Sequence, residues 1–387
     1  MNRRLAPTSV SGVGYAPTSL RGGPGINRRT VDACRAALAD AGLGPGDVDG
    51  LFEYRFGPDS PDCLTTARLL GLADLGVYQD IEGSGPSGLA APMAAIMAVA
   101  SGACEVALAY RCMTADAGYH GGTNDGPVEV PGREQFSEPF GNSTHKSILV
   151  TMALRKRRRM AEYGTTLEDY AHLPINARRW AAKNERALFR EPLTVDDYLR
   201  SRAVVDPLLL LDCDRPVNGA CAVVVTAPER AADLRTRPVL VDNLAYGTGG
   251  RPDWMFQDDL VFGATRDCAR RLWARSELRP ADIDVAQLYD GFTHITLSWI
   301  EALGFCGIGE YSDWVDGGAT IGPGGSLPLN TGGGHLGEGR LHGLTLLAEA
   351  VLQLRGGLGD RQVRDARTAV VTNSYGPQVG ALTLRTR

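Results

Sequence analysis

The densest grouping of chemistry-bearing residues in the chain is NTGGGHLGEGRLHG, Asn330 to Gly343, where six glycines in fourteen positions are interleaved with His335, Arg340 and His342. Backbone N–H groups at a helix start favour anions, so a phosphate cradle is one reading of such a loop. It lacks the Lys-Ser/Thr ending of a Walker loop, and no Gly-x-Gly-x-x-Gly follows a strand with an acidic residue about twenty positions on. A second cluster, EGSGPSGLAA from Glu82 to Ala91, lies between a short strand and an apolar helix. Pro86 suits a first helical turn, and the glycines permit an elbow that aims the helix start at a ligand. Ser84 and Ser87 are nucleophile candidates by type; as helix caps they need no catalytic role.

These loops need a frame, and the frame repeats. CRAALADAGLGPGDVDGLFE from Cys34 resembles CARRLWARSELRPADIDVAQLYD from Cys268, with Pro45 on Pro280, Asp47 on Asp282 and Asp49 on Asp284. Each reads as an amphipathic helix, a Pro-x-Asp-(Val/Ile)-Asp turn and a buried strand. A second echo joins the helices that open on Gly88-Leu89 and Gly343-Leu344, leading to strands at Val106–Tyr110 and Thr368–Thr372. Two strand–helix halves in tandem follow, with a sheet flanked by helices. The halves are 1–236 and 237–387, and a loop subdomain at about 113–205 interrupts the first. Its opening part is rich in Gly, Pro, Asn and Ser, and its later part reads as helices carrying Trp180 and the run Arg155-Lys156-Arg157-Arg158-Arg159. Such a run is ordinarily a solvated helix face, with coenzyme A phosphates or an acidic partner surface as its functional counterpart.

Composition narrows the function classes. With 45 acidic against 40 basic side chains, net charge −5, no global field draws the chain to nucleic acid or to an anionic membrane. The longest apolar stretch, Gly88 to Cys104, is broken by Pro92, Ser101 and Gly102 and reads as a buried helix rather than a membrane span. Eight cysteines occur without a C-x-x-C pair or zinc spacing, so no metal is expected. Scattered cysteines and an N-terminus without an apolar run fit a cytoplasmic protein.

NTGGGHLGEGRLHG resembles the C-terminal signature of the thiolase superfamily, Asn-x-x-Gly-Gly, four residues, then Gly-His-x-x-Gly. Asn330, Gly333, Gly334, Gly339 and Gly343 fall on the family positions, and Arg340 occupies the place of the catalytic histidine. EGSGPSGLAA resembles the elbow Cys-x-Ser-Gly-(Leu/Met), matching at Ser87 and Gly88, with Gly85 where the nucleophilic cysteine stands. Tyr289-Asp290-Gly291-Phe292 meets the Asn-Glu-x-Phe or His-Asp-x-Phe motif, and Ser374-Tyr375-Gly376-Pro377-Gln378 takes the place of Cys-x-Gly-Gly-Gly. The resemblance implies an α/β thiolase fold: two similar βαβαβαββ halves in a five-layered α-β-α-β-α arrangement, with the inserted loop subdomain.

Both catalytic cysteines are missing, so thiolysis and Claisen condensation, which need an acyl carrier and a second thiol, are not expected. Tyrosine in Tyr-Asp-x-Phe is similar to the cysteine-less steroid side-chain aldolases of the superfamily. That likeness implies retro-aldol cleavage of a bulky β-hydroxyacyl-CoA, with coenzyme A as part of the substrate and no permanently bound cofactor. It also implies a homodimer and a small partner built from an OB-fold and a zinc ribbon. In those enzymes a second tyrosine stands where this chain has Arg340. The expected catalytic set is Tyr289 as acid/base, its pKa lowered by Arg340, together with His342 and Tyr246. Gly85, Ser87, Gly88, Asp290, Asn330, His335 and Gly376 are expected to bind substrate or its oxyanion. Tyr289 as a plain core tyrosine is the structural counterpart. At the level of the whole chain the rivals are a thiolase-like acyltransferase or condensing enzyme acting with a partner subunit, and a non-catalytic acyl-CoA-binding subunit.

Overall fold

Strands buried on both faces belong in the middle of a helix-covered sheet, and Val106–Met113 and Asn218–Thr226 are buried at every position. The computed structural model describes residues 5–83, 86–115, 148–231, 233–250 and 257–386. The first half supplies β1 (Thr8–Ser19), α1 (Ile26–Ala41), β2 (Gly50–Arg55), α2 (Cys63–Leu70), β3 (Val77–Glu82), α3 (Ala90–Ser101) and β4 (Val106–Met113). After the inserted α4 (Ile148–Tyr163) and α5 (Leu167–Ala181) comes β5 (Asn218–Thr226). The second half supplies β6 (Val239–Gly247), α6 (Thr265–Trp273), β7 (Val285–Gln287), α7 (Thr293–Ala302), α8 (Leu344–Arg355), β8 (Thr368–Asn373) and β9 (Val379–Arg385).

Among the described residues these nine strands form one sheet in the order β3-β2-β4-β5-β1-β6-β9-β8-β7. The order β2-β4-β5-β1 is mirrored by β7-β8-β9-β6, and the halves meet where Thr8–Val10 of β1 pair antiparallel with Val239–Val241 of β6. The mirror is the repeat read from the sequence. It is incomplete in one respect: the second half has no counterpart of β3 among the described residues.

The shared Pro-x-Asp-(Val/Ile)-Asp turn does the same work in both halves. Asp47 and Asp282 accept the N–H of Gly44 and Arg279 at 2.9 and 2.8 Å and close a 3₁₀ turn. Asp49 accepts the N–H of Glu105 and Val106, and Asp284 those of Arg367 and Thr368. Each turn thereby pins the start of the neighbouring strand, a need that the shared spacing of the two aspartates already encodes.

Side chains alternate across β4 and β5 with period two. Val106, Leu108, Tyr110, Ala220, Ala222 and Val224 pack with α1, while Ala107, Ala109, Met113, Cys221, Val223 and Val225 pack in the larger core that includes α3 and α8. Helix α8 touches β7 and β8 of its own half and also β5 and β1 of the other, and α6 covers β6 and β9. Five layers result: α1, the first-half strands, α3 with α8, the second-half strands, and α6. In the central layer α3 carries no charged residue, and the buried Glu349 of α8 is paired with Arg361.

The described part of the insertion is fastened to the second half by buried charge. Arg155, Lys156 and Arg159 of α4 are buried, which corrects the solvated-face reading for three of the five basic positions. Arg155 donates to Gln257 at 2.8 Å, Lys156 to Asp212 at 2.5 Å and to the Tyr198 hydroxyl at 3.0 Å, and Arg159 to Glu301 of α7 at 2.9 and 2.5 Å. Arg157 and Arg158 stay exposed beside Asp206 and Glu162. Helix α5 supports the glycine loop: a Cβ at Gly333 or Gly337 would lie 2.8 Å from that of Ala181. Asn176 and Asn184 donate to the carbonyls of Leu329 and Gly332.

Candidate active site

The chain leaves β7 at Gln287 and enters the Tyr289–Phe292 turn, which the glycine loop clamps from below. The Asn330 side chain accepts the Leu288 N–H at 2.7 Å and donates to the Leu288 carbonyl at 2.9 Å. Asp290 accepts the N–H of His335 at 2.9 Å and of Leu336 at 3.3 Å. Gly334 has φ +58, and a Cβ there would lie 2.1 Å from Asp290 Oδ2. The expectation that Asn330 and Asp290 bind substrate is thus corrected. Their side chains bond the backbone of the Tyr289 turn and of the glycine loop and also meet each other, and this places Tyr289 above the loop.

Tyr289 is buried, with the His335 ring edge-on at 5.1 Å between centroids. His335 Nδ1 lies 3.4 Å from Asp290 Oδ1, and neither ring nitrogen has a hydrogen-bond partner among the described residues. Burial, aided by the Arg340 charge, lowers the His335 pKa to about 3, so the ring is neutral. Arg340 Nη1 lies 3.2 Å from Asp214 Oδ1, and Arg340 Nε and Nη2 and Asp214 Oδ2 are buried without partners among the described residues. Burial raises the Asp214 carboxyl to about 6 against the lowering pull of Arg340.

One expectation reverses here. Arg340 does lower the Tyr289 pKa, but burial and the negative charge of Asp214 outweigh it, and the phenol titrates above its ordinary value of 10. Tyr289 therefore stands protonated at neutral pH. It is a proton donor at rest rather than a waiting base.

His342 is reached from the first half. Arg111 of β4 donates Nη2–H to His342 Nδ1 at 2.9 Å and forms a buried ion pair with Asp59. A guanidinium only donates, so Nδ1 is the acceptor and the proton of the neutral ring sits on Nε2. Burial, Arg111, Arg340 and His335 all push the His342 pKa far down, leaving a neutral N–H donor. Tyr54 of β2 meets the His342 ring edge-on at 6.0 Å, lies under Arg111, and is hydrogen-bonded by Ser87.

Gly88 also has a fixed partner: its N–H donates to the His342 carbonyl at 2.7 Å, and Asn373 Nδ2 donates to the same oxygen at 2.5 Å. A Cβ on Gly88 would lie 2.3 Å from that carbonyl. Gly88 is consequently not a free oxyanion donor, a second correction. The two Gly-Leu helix starts are instead joined back to back through one carbonyl. Gly85 and Ser84 lie outside the described residues.

Two further expected residues are not brought into this cluster. Tyr246 sits opposite Gly380 in the β6–β9 ladder, on the face that meets Pro86 and Met93, and burial raises its hydroxyl to about 12. The Gly376 carbonyl accepts the Ala264 N–H at 2.9 Å and Gly263 packs against it, so this glycine secures the 263–264 turn. Ser374, at the second cysteine position, gives its carbonyl to the Trp299 indole at 3.1 Å.

A cavity of about 700 Å³ lies elsewhere, at the ends of α6 and α7 beside Arg266, Arg270, Trp273 and Glu301. Its lining includes Gly263 but none of Tyr289, Asp214, His335, Arg340 and His342. Among the described residues no group of His, Cys, Asp and Glu is arranged to hold a metal ion, and no helix is long and apolar enough to cross a membrane.

The cluster is centred on Arg340, whose charge acts on Tyr289, Tyr54, Asp214, His335 and His342. It offers the protonated phenols of Tyr289 and Tyr54, the neutral imidazoles of His335 and His342, a guanidinium with N–H groups unpaired among the described residues, and the Asp214 carboxyl. That set can donate to a developing oxyanion and exchange protons, and among the described residues it includes no cysteine. Asp214, Arg111, Asp59 and Tyr54 were not read from the sequence. Asp214 stands in LDCDRPVNG, and its N–H donates to the Gly291 carbonyl while the next residue's carbonyl accepts the Arg340 N–H.

Residues 253–384 match the family described as Thiolase C-terminal domain-like. The chain is 38% identical over 365 residues to 17-hydroxy-3-oxo-4-pregnene-20-carboxyl-CoA lyase of Mycobacterium tuberculosis, covering 90% of this chain and 91% of that protein. It is 35% identical to the steroid side-chain-cleaving aldolase of Thermomonospora curvata, covering 97% of each. The solved Ltp2-ChsH2(DUF35) aldolase superposes with a TM-score of 0.87 at 34% identity, covering 99% of both chains. Human mitochondrial 3-ketoacyl-CoA thiolase, at 14% identity and TM-score 0.73 over 99% of this chain and 100% of that one, shares the fold.

Proposed function

Since the chain belongs to the thiolase superfamily, in the branch of the steroid side-chain-cleaving aldolases, we propose that it is a carbon–carbon lyase acting on a bulky β-hydroxyacyl-CoA. The reaction breaks the Cα–Cβ bond, giving a ketone or aldehyde and a shorter acyl-CoA. The observation that carries this reading is the protonated Tyr289 held beside Arg340 and Asp214, in a site whose nucleophile position is glycine in the sequence. Retro-aldol cleavage needs a proton taken from the β-hydroxyl, a proton returned at Cα and donors for the enolate oxygen. It needs no covalent intermediate.

In this reading His342 Nε2–H and the unused Arg340 N–H groups stabilise the thioester oxygen as it becomes negative. Tyr289 returns the proton to Cα. Coenzyme A belongs to the substrate. The relative named for a pregnene-20-carboxyl-CoA supports a steroid-sized acyl group, and the two-part name of the solved aldolase supports a partner protein; the same reading takes the chain as a cytoplasmic homodimer.

The test is Tyr289→Phe against wild type on 17-hydroxy-3-oxo-4-pregnene-20-carboxyl-CoA, with the partner present. Loss of cleavage in a folded variant is expected; unchanged cleavage removes Tyr289 from the chemistry.

A further inference from the structure

We propose that Asp214, held by Arg340, receives the β-hydroxyl proton. This deepens the lyase reading and rests on it. Three observations place Asp214 in the reaction. Its Oδ2 is buried and has no partner among the described residues, whereas Oδ1 is held by Arg340 at 3.2 Å. Its backbone is locked between the two motifs that carry the chemistry: Asp214 N–H donates to the Gly291 carbonyl at 3.1 Å, and Arg340 N–H donates to the Arg215 carbonyl at 2.9 Å. The flanking residues pair as bridges, Cys213 with Phe292 and Pro216 with Arg340. A buried carboxylate oxygen with no donor is costly unless something arrives to use it, and a substrate hydroxyl is such a donor.

Tyr289 cannot fill that role at rest, because it already carries its proton. With Asp214 as acceptor the step balances. The β-O–H proton passes to Asp214 as the oxygen pair closes the new C=O bond. The Cα–Cβ electron pair moves into the thioester to form the enolate, and the Tyr289 hydroxyl protonates Cα. Asp214 then returns its proton to the Tyr289 phenolate, and the site is restored without a co-reactant. The charged and titratable groups facing Asp214 are Arg340, Tyr289, Asp290 and Cys213. Of these only Arg340 is cationic, and it favours the ionised carboxylate.

The experiment compares wild type, Asp214→Asn and Asp214→Glu, with the partner protein, on the same pregnene thioester and on its analogue lacking the β-hydroxyl. Single-turnover cleavage is followed from pH 5 to 8.5, binding of both ligands is measured, and thermal melts report folding. Wild type is expected to gain activity through an acid limb near pH 6 and to bind the hydroxylated thioester more tightly. Asp214→Asn is expected to lose on the order of 10²–10⁴-fold in rate, together with the limb and the preference for the hydroxyl. Asp214→Glu restores part of each. If Asp214→Asn keeps the wild-type rate and limb, the inference falls and the lyase reading stands. If wild type does not cleave but its hydroxyl preference depends on Asp214, the lyase reading falls and Asp214 remains the hydroxyl's acceptor. A wild type with neither property overturns both.

Discussion

Gly291 lies under the phenol of Tyr289: a Cβ at Gly291 would stand 2.8 Å from Tyr289 Cε1 and 2.9 Å from its hydroxyl oxygen. The glycine of Tyr-Asp-Gly-Phe is thus there for the tyrosine and not for a turn. Gly291→Ala is expected to displace the phenol and lower kcat by at least about tenfold, because small misplacements of catalytic groups are expensive. The melting temperature should change little, since the clash falls on a side chain that can swing. An alanine variant with wild-type kcat would show that Tyr289's position is not critical.

Arg340→Met removes the partner of the Asp214 carboxylate. Arg340 lowers the Asp214 pKa, so without it the value rises above about 6, and the ionised form appears only at higher pH. The acid limb of the kcat/KM profile should move up, along with a fall in the plateau as the oxyanion donors are lost. A limb that stays in place while the plateau falls would assign Arg340 to the substrate alone.

Stability should pass through a maximum at about pH 6, where the carboxyl and histidine contributions to linkage cancel. Burial raises Glu53 to about 8, Asp290 to about 7 and Asp214 to about 6. Between pH 4 and 8 the folded chain therefore holds more of these protons than the unfolded one, and stability from this source falls as pH rises. His294, His335 and His342 are held neutral, so below their unfolded pKa the unfolded chain binds more protons and stability falls as pH drops. Melting temperatures across pH 5 to 8.5 check the shape. Glu53→Gln should flatten the alkaline side, and an unchanged slope would remove Glu53 from the account.

Breaking the Arg159–Glu301 pair should cost about 3–5 kcal/mol, because the remaining charge is buried without compensation. Arg159→Met is expected to be severe in denaturant titration, and Arg159→Met with Glu301→Leu should recover much of the loss. A double variant no better than the single one would mean that shape rather than charge fastens α4 there.

The repeat was legible because it rests on local patterns: a helix period, a turn with two aspartates, a Gly-Leu helix start. Tyr289, His335, Arg340 and His342 were legible because their motifs keep fixed spacing, and the fold does gather them. Asp214 and Arg111 were not, because one of two Asp in LDCDRPVNG and a lone Arg in a strand gain meaning only from what packs on them. Even the direction of the Tyr289 shift needed burial and Asp214 as well as the motif neighbour. The run at 155–159 shows the same limit. Arg155, Lys156 and Arg159 share one helical face, but the acids that make it an inner face, Asp212 and Glu301, are distant in sequence.

The carbonyl of His342 accepts from both Gly88 and Asn373, and so the peptide that ends the catalytic loop is also the rivet between the two halves. Any strain that shifts one half against the other must turn the imidazole attached to that peptide. Assembly and site geometry are then read by the same atom: a lesion at the seam, such as Gly88→Ala, should register in the orientation of the His342 ring before the fold itself gives way.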